Sequence, residues 1–227
     1  MSKRASLWIL LVLAGGWYAA FEGRTSWIVL SCKAAPTLCD PSSLNALDRS
    51  VLINYDSSAD FWSFVTQDLA GVLAVVAAIA LGIKASRVGR FFDSFFTSMT
   101  LLLQATFANG LINECIRLWI QRPRPFVYLD PTGQGGAHSH YTSFYSGHTS
   151  FAAVATTCAW LAVRRANFSR MTQWSVATLG ISLTAMTGAL RVMAGRHFIT
   201  DTVAGAFFGF LIAWSINRLH ENRPSMR

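Results

Sequence analysis

The stretch Phe91–Pro125, FFDSFFTSMTLLLQATFANGLINECIRLWIQRPRP, decides how the chain is built. From Phe91 to Leu118 it exceeds the ~20 mostly apolar residues that carry a helix across a bilayer. Its polar residues gather toward one end. Asn109, Asn113 and Arg117 are four apart and so share a helix face, with Glu114 beside them. Next to hydrocarbon such a face must turn toward protein or water. Asn109 and Asn113 read as hydrogen-bonding partners for neighbouring helices. Pro123 and Pro125 then stop the helix, leaving Arg117, Arg122 and Arg124 clustered at its end.

Five other apolar runs flank this one, near Ser6–Phe21, Phe61–Ile83, Thr149–Val163, Thr172–Leu190 and Phe198–Ile216; the first and fourth are short. The 227 residues are 52% hydrophobic and only 13% charged, about half the charge of an ordinary soluble domain. The expected fold is an all-α polytopic membrane bundle of six transmembrane helices, a single domain over residues 1–227. The net charge of +8 does not indicate nucleic acid, because the basic residues cap apolar runs and form no stripe on a polar domain.

The charge bias sets the orientation. With a cytoplasmic N-terminus, Lys3, Arg4, Lys84, Arg87, Arg90, Arg164, Arg165, Arg170, Arg218, Arg223 and Arg227 fall inside. Outside the arginine clusters, the other face carries only Arg24, Lys33 and Arg49. Both termini are therefore expected in the cytoplasm and the clusters on the outer face, as in an inner-membrane protein with a periplasmic site. The alternative for the first run is a signal peptide, with a basic Met1–Arg4 and small Ala19 and Ala20; bulky Trp17, Tyr18 and Phe21 speak against cleavage there.

The outer segment 22–60 is the longest polar stretch. Leu44, Leu47, Val51 and Tyr55 recur at helical spacing behind Pro41 and Ser42, which predicts a short interfacial helix. Ser57-Ser58-Ala59-Asp60 has the form of a capping box opening the second span. Cys32 and Cys39 lie where a disulfide is permitted and are expected to form one. Gly205 with Gly209, and Gly180 with Thr184 and Gly188, are small-residue stripes expected to pack helices closely.

Three segments carry chemistry. In the first, Arg117 and Arg124 offer guanidinium forks that suit phosphate oxygens; Arg122 reads as a contact to lipid headgroups. In the second, Tyr145-Ser146-Gly147-His148, a serine can cap the fourth helix, whose free N–H groups then face an anion. Gly147 allows close approach, and His148 stands in the first turn. In the third, Arg191 precedes His197 and Asp201, which are four apart on one helical face. A carboxylate at that spacing can hold one imidazole nitrogen and free the other as nucleophile or base. Arg196 reads as a further headgroup contact. His138 and His140 form an H-x-H without other evident ligands, so no metal site and no cofactor are expected.

The three segments resemble the signature of the type 2 phosphatidic acid phosphatase (PAP2) superfamily, Lys-x6-Arg-Pro, Pro-Ser-Gly-His and Ser-Arg-x5-His-x3-Asp. Here they read Arg117 to Arg124-Pro125, Tyr145-Ser146-Gly147-His148 and Leu190-Arg191 to His197 and Asp201, a signature region spanning 117–201. Arg117 replaces Lys, Tyr145 replaces Pro and Leu190 replaces Ser. The resemblance implies metal-independent hydrolysis of a phosphomonoester or pyrophosphate through a phosphohistidine. His197 would be the nucleophile, Asp201 its support and His148 the acid. Arg117, Arg124, Arg191, Ser146 and Gly147 would hold the phosphate. A site beside the bilayer favours a lipid phosphate, with phosphatidic acid, phosphatidylglycerophosphate, undecaprenyl pyrophosphate and lipid A as candidates by resemblance. The alternatives are a lipid-to-lipid phosphotransferase on the same residues and an anion or proton-coupled transporter; the charged residues cluster at one face, against a transport path. No obligate protein partner is evident.

Overall fold

The computed structural model describes residues 3–221. Arg223 and Arg227, counted above in the charge bias, lie outside them. The described residues form six long helices and several single turns, with no strand. The long helices are α1 (Lys3–Glu22), α2 (Ser57–Ser86), α3 (Phe91–Ile120), α4 (Gly147–Arg165), α5 (Arg170–Met193) and α6 (Ile199–Glu221).

Each falls on one of the apolar runs, but the helices differ in what surrounds them. Five are long and apolar enough to cross a membrane; α4 is not. Its apolar character is diluted by Thr149, Ser150, Thr156 and Thr157, and all four are buried. The helix is largely enclosed, with α2, α3, α5 and α6 packed around it, so these residues are buried mostly against protein. Thr156 also satisfies its hydroxyl on the Ala152 carbonyl one turn back, at 2.9 Å. Six long helices stand where six spans were expected, and five of them carry the hydropathy of a span.

Close approach at the centre depends on the small residues. A Cβ at Gly209 would lie 2.2 Å from the Ser150 carbonyl oxygen of α4. The stripe on α6 is therefore a backbone contact with the helix that opens at Ser146. The first helix packs on α3, where Trp17 meets Phe107 at 5.7 Å between ring centroids. Cys158 is buried as a packing residue, whereas Cys115 is exposed.

Connections alternate between two ends of the bundle. At one end Lys84 donates to the Asn167 carbonyl at 2.8 Å, joining the α2 terminus to the α4–α5 turn. At the other end Arg191 of α5 pairs with Asp60 of α2. The arginine clusters belong to this second end. Cys32 and Cys39 are disulfide-bonded there, and they pack with Ile28, Phe126, Val127 and Tyr141 into a small core of loops at that end.

The interfacial helix expected from Leu44 to Tyr55 is not continuous. It is reduced to a 3-10 turn at Pro41–Ser43 and one α turn at Ala46–Arg49. Side chains take the backbone bonds that a longer helix would use. Asp40 accepts from the Ser42 N–H, Asn45 from the Asp48 N–H, and Arg49 ties back to the Ser42 and Leu44 carbonyls. The segment instead turns Asp48 fully inward. The second helix does begin at Ser57, but its cap is Asp56, which accepts from the Ser58 and Ala59 N–H groups. Asp60, read above as part of the capping box, faces Arg191.

Candidate active site

Arg117 comes from the last turn of α3. Gln121 closes that helix in the left-handed region, its N–H bonded to the Arg117 carbonyl at 2.9 Å. Arg124 follows in extended backbone directly before Pro125, as expected for the residue preceding proline. Its amide donates to the His140 carbonyl at 2.8 Å, which brings Arg124 back over the bundle. Ser146 is the N-cap of α4, its Oγ accepting from the Thr149 N–H at 3.4 Å. A Cβ at Gly147 would lie 3.0 Å from Nη2 of Arg117. The missing side chain lets that guanidinium lie against the helix start.

The three arginines are oriented by different means. Arg117 donates from Nη1 to Glu114 at 2.8 Å and from Nη2 to the Tyr145 carbonyl at 3.2 Å. One planar fork thus spans two elements, a reach the smaller ammonium of a lysine does not share. Glu114 is also gripped by Arg24, at 2.7 and 2.5 Å. Arg191 pairs with Asp60 and donates to Ser63 at 3.3 Å. Asp60 is shared with Arg196 at 2.9 Å and accepts from the Tyr55 hydroxyl at 2.9 Å. Arg124 is held by neutral acceptors, the Ser139 carbonyl at 3.0 Å and the Thr142 hydroxyl at 3.2 Å. Each carboxylate is therefore divided between two guanidinium groups, and each of those trios keeps one positive charge.

His197 corrects the sequence reading of the His–Asp pair. Its Nδ1 lies 2.7 Å from the Ser143 carbonyl, while the nearest Asp201 oxygen is 3.7 Å away. A carbonyl only accepts, so Nδ1 carries the proton and Nε2 is left with its lone pair. The Asp201 carboxylate is already committed. It accepts from Arg122 at 2.5 Å, from the Ser143 hydroxyl at 2.6 Å and from the Phe198 N–H at 3.0 Å. Asp201 thus fixes His197 through Ser143, whose hydroxyl and carbonyl serve the two residues. Burial, then the charges of Arg191, Arg124 and Arg117, hold the His197 pKa well below the usual histidine range. Both effects favour the neutral imidazole.

Arg122 and Arg196, read from sequence as headgroup contacts, are internal ion-pair partners. Arg122 bridges Asp201 and Asp48, the latter at 2.7 Å, and covers the Phe198 ring at 4.1 Å. Asp48 also accepts from the Thr200 hydroxyl at 2.7 Å and N–H at 3.2 Å. A residue of the α1–α2 connection therefore locks the arm that carries His197. Asp48 has no motif around it, and sequence offered no signal for this role.

One cavity of about 460 Å³ gathers Arg117, Arg124, Arg191, Gly147, His148 and His197 on its wall. Ser146 and Asp201 lie behind that wall and are fully buried. The Nε2 atoms of both histidines and the Nε atoms of Arg117 and Arg191 are buried without a hydrogen-bond partner. Unsatisfied buried polar groups are costly, so four of them on one cavity mark a place for a polar ligand. His148 is steadied by the edge of the Phe64 ring at 4.4 Å. The cavity is lined further by the rings of Trp17, Phe21, Phe107 and Phe151, with polar Gln67, Thr106, Asn109 and Asn113 among them. His138 and His140 bond separately to the Ile28 and Gln134 carbonyls. Among the described residues no group of His, Cys, Asp or Glu is arranged to hold a metal ion.

The model of the PAP2 superfamily matches residues 98–225, more than half of the chain. The chain belongs to the PAP2 superfamily. It is 29% identical over 141 residues to phosphatidylglycerophosphatase B of Bacillus subtilis (strain 168), an alignment covering 61% of this chain and 66% of that relative. The match thus spans about two thirds of the curated relative's length. The structure resembles that of the transmembrane PAP2-type phosphatidylglycerolphosphate phosphatase from Bacillus subtilis, with a TM-score of 0.54, 19% identity and full coverage of both chains. The likeness is one of fold. Family and relative together support a phosphatase hydrolase held in a membrane. Within this PAP2 chain, Tyr145 occupies the place where the family motif has Pro. Its ring stacks on Phe208 at 5.1 Å and its hydroxyl donates to the Asn109 side chain at 3.2 Å, so that segment is anchored by packing.

Proposed function

We propose that this chain, a single PAP2-like domain, removes phosphate from a membrane lipid without a metal and through a phosphohistidine. The carrying observation is the shared cavity: cations, two unpaired imidazole nitrogens and aromatic rings line it together. The phosphate of an amphiphile suits the cations and its apolar part the rings. The positive charge left over on Arg117, Arg124 and Arg191 matches a phosphate dianion and the charge that develops on transfer.

In the first step the Nε2 lone pair of His197 forms a bond to phosphorus as the bond to the leaving oxygen breaks. His148 gives that oxygen its proton. In the second, His148 takes a proton from water as the water oxygen attacks phosphorus and the P–N bond breaks, releasing inorganic phosphate. The Arg122–Asp48–Asp201 group keeps one negative charge behind His197, which stabilises the imidazolium character of the intermediate. The Ser146 cap and Gly147 present the start of α4 to the phosphate.

The charge bias supports six crossings, both termini in the cytoplasm and the cavity on the periplasmic side of an inner membrane. The curated relative favours a glycerophospholipid phosphomonoester, of the phosphatidylglycerophosphate kind, as substrate. The test is phosphate release by the purified full chain from a panel: phosphatidylglycerophosphate, phosphatidic acid, a polyprenyl pyrophosphate and a sugar phosphate. Release from the lipid monoesters, unchanged by chelator and blocked by vanadate as a mimic of five-coordinate phosphorus, is expected. A sugar phosphate hydrolysed in preference to every lipid would contradict the reading.

A further inference from the structure

A second cleft lies on the side of the bundle away from the cavity, between α4, α5 and α6. It has two continuous parts, of about 430 and 720 Å³, which share Thr156, Thr157, Ile181 and Phe210 on their walls. One end reaches Thr149, Gly188 and Thr202, just behind the phosphate site; the other reaches Arg164, Asn167 and Arg170 at the α4–α5 turn. Along α4, from Thr149 to Arg164, this is a path of about 23 Å, most of the thickness of a bilayer core.

The middle of the cleft is apolar in effect. Thr156 and Thr184 donate their hydroxyls to carbonyls of their own helices at 2.9 Å, so these hydroxyls are satisfied internally. The far end is polar and positive. Arg164 and Arg170 are exposed and, among the described residues, pair with no carboxylate. This differs from the cavity arginines Arg117 and Arg191, each tied to an acidic side chain. Arg164 instead lies over the Trp160 ring at 4.7 Å, and Arg218 of α6 lies over Trp214 at 5.2 Å. Arg164 and Arg218 share a smaller adjoining pocket. Paired tryptophan and arginine at this depth fit the headgroup level of a membrane.

We propose that this cleft binds an acidic phospholipid from the leaflet opposite the phosphatase site. Its phosphate lies between Arg164 and Arg170, and one acyl chain runs along the threonine-lined groove toward Gly188. The occupant is chosen by charge complementarity: two guanidinium groups without a carboxylate partner stand at the mouth of a groove of mostly apolar lining. The proposal depends on the helices crossing a bilayer and is independent of the catalytic assignments.

The test uses the full chain in nanodiscs of dioleoylphosphatidylcholine containing dioleoylphosphatidylglycerol, with retained lipid counted by native mass spectrometry. The chain is expected to retain phosphatidylglycerol about tenfold more strongly than phosphatidylcholine, and the double variant Arg164→Gln/Arg170→Gln to lose that preference. Ala185→Trp fills the groove from an exposed position on α5 and should reduce retention with both arginines present. Helical content by circular dichroism, equal to that of the native protein, shows that each variant folds. Equal retention of the two lipids, or a preference that survives both variants, overturns the proposal. So does a preference lost instead with Arg124→Gln, which would place the lipid in the outer cavity.

Discussion

His197→Asn lowers phosphate release by about 10⁴-fold or more, the loss expected when a nucleophile that acts with its partners is removed. Asparagine is the informative replacement because His197 is fully buried and donates from Nδ1 to Ser143. The Asn amide can supply the same donor, so the loop stays in place while the reacting nitrogen disappears. His197→Ala should be equally inactive but less stable, since it leaves the Ser143 carbonyl without that bond. Turnover on a lipid monoester, measured alongside helical content by circular dichroism, checks both. Near-normal release by a folded His197→Asn protein would remove His197 from the reaction.

Asp48→Ala destabilises the protein by about 3–5 kcal/mol, the range for breaking one side of a buried ion pair. Arg122 would lose one of its two carboxylates, and Thr200 two acceptors. Because Arg122 also holds Asp201, activity should fall even where the variant folds. The pH dependence has a definite sign. Burial would raise the Asp48 pKa, but hydrogen bonds from Arg122, Thr200 and Asn45 outweigh it and the pKa is lowered from 3.8. The stabilisation is therefore fully present above the unfolded value and lost as pH falls through the folded one. In thermal unfolding the difference between the native protein and Asp48→Ala should be constant near neutrality and shrink only below about pH 4. A variant as stable as the native protein at pH 7 would show that the loop contact is incidental.

The long helices were legible because a spanning helix writes its length directly into composition, as Phe91–Leu118 does. The enclosed α4 was less so: its polar residues are buried by protein, and a hydropathy reading cannot distinguish that from solvent. The lining of the cavity was legible where spacing along one helix or across one turn sets it, as for Arg117, Arg124 and His148. The site was misread where a bond skips between elements. Asp201 is four residues from His197, yet the Ser143 carbonyl from the α3–α4 connection takes the imidazole proton. Arg122 and Arg196 looked like surface charge because their partners, Asp48 and Asp60, lie 74 and 136 residues away. The loop 22–60 was misjudged for a similar reason, since local side-chain bonds from Asp40 and Asn45 override its apolar periodicity.

The most direct test of the central claim is to quench a single turnover on a lipid whose terminal phosphate is radiolabelled and to map the label on the protein. The proposed chemistry predicts a transient adduct that is labile in acid and stable in alkali, located on the peptide containing His197 and absent from His197→Asn. Label on His148 instead, or full hydrolysis in the burst phase with no labelled protein under conditions that preserve phosphohistidine, would contradict it.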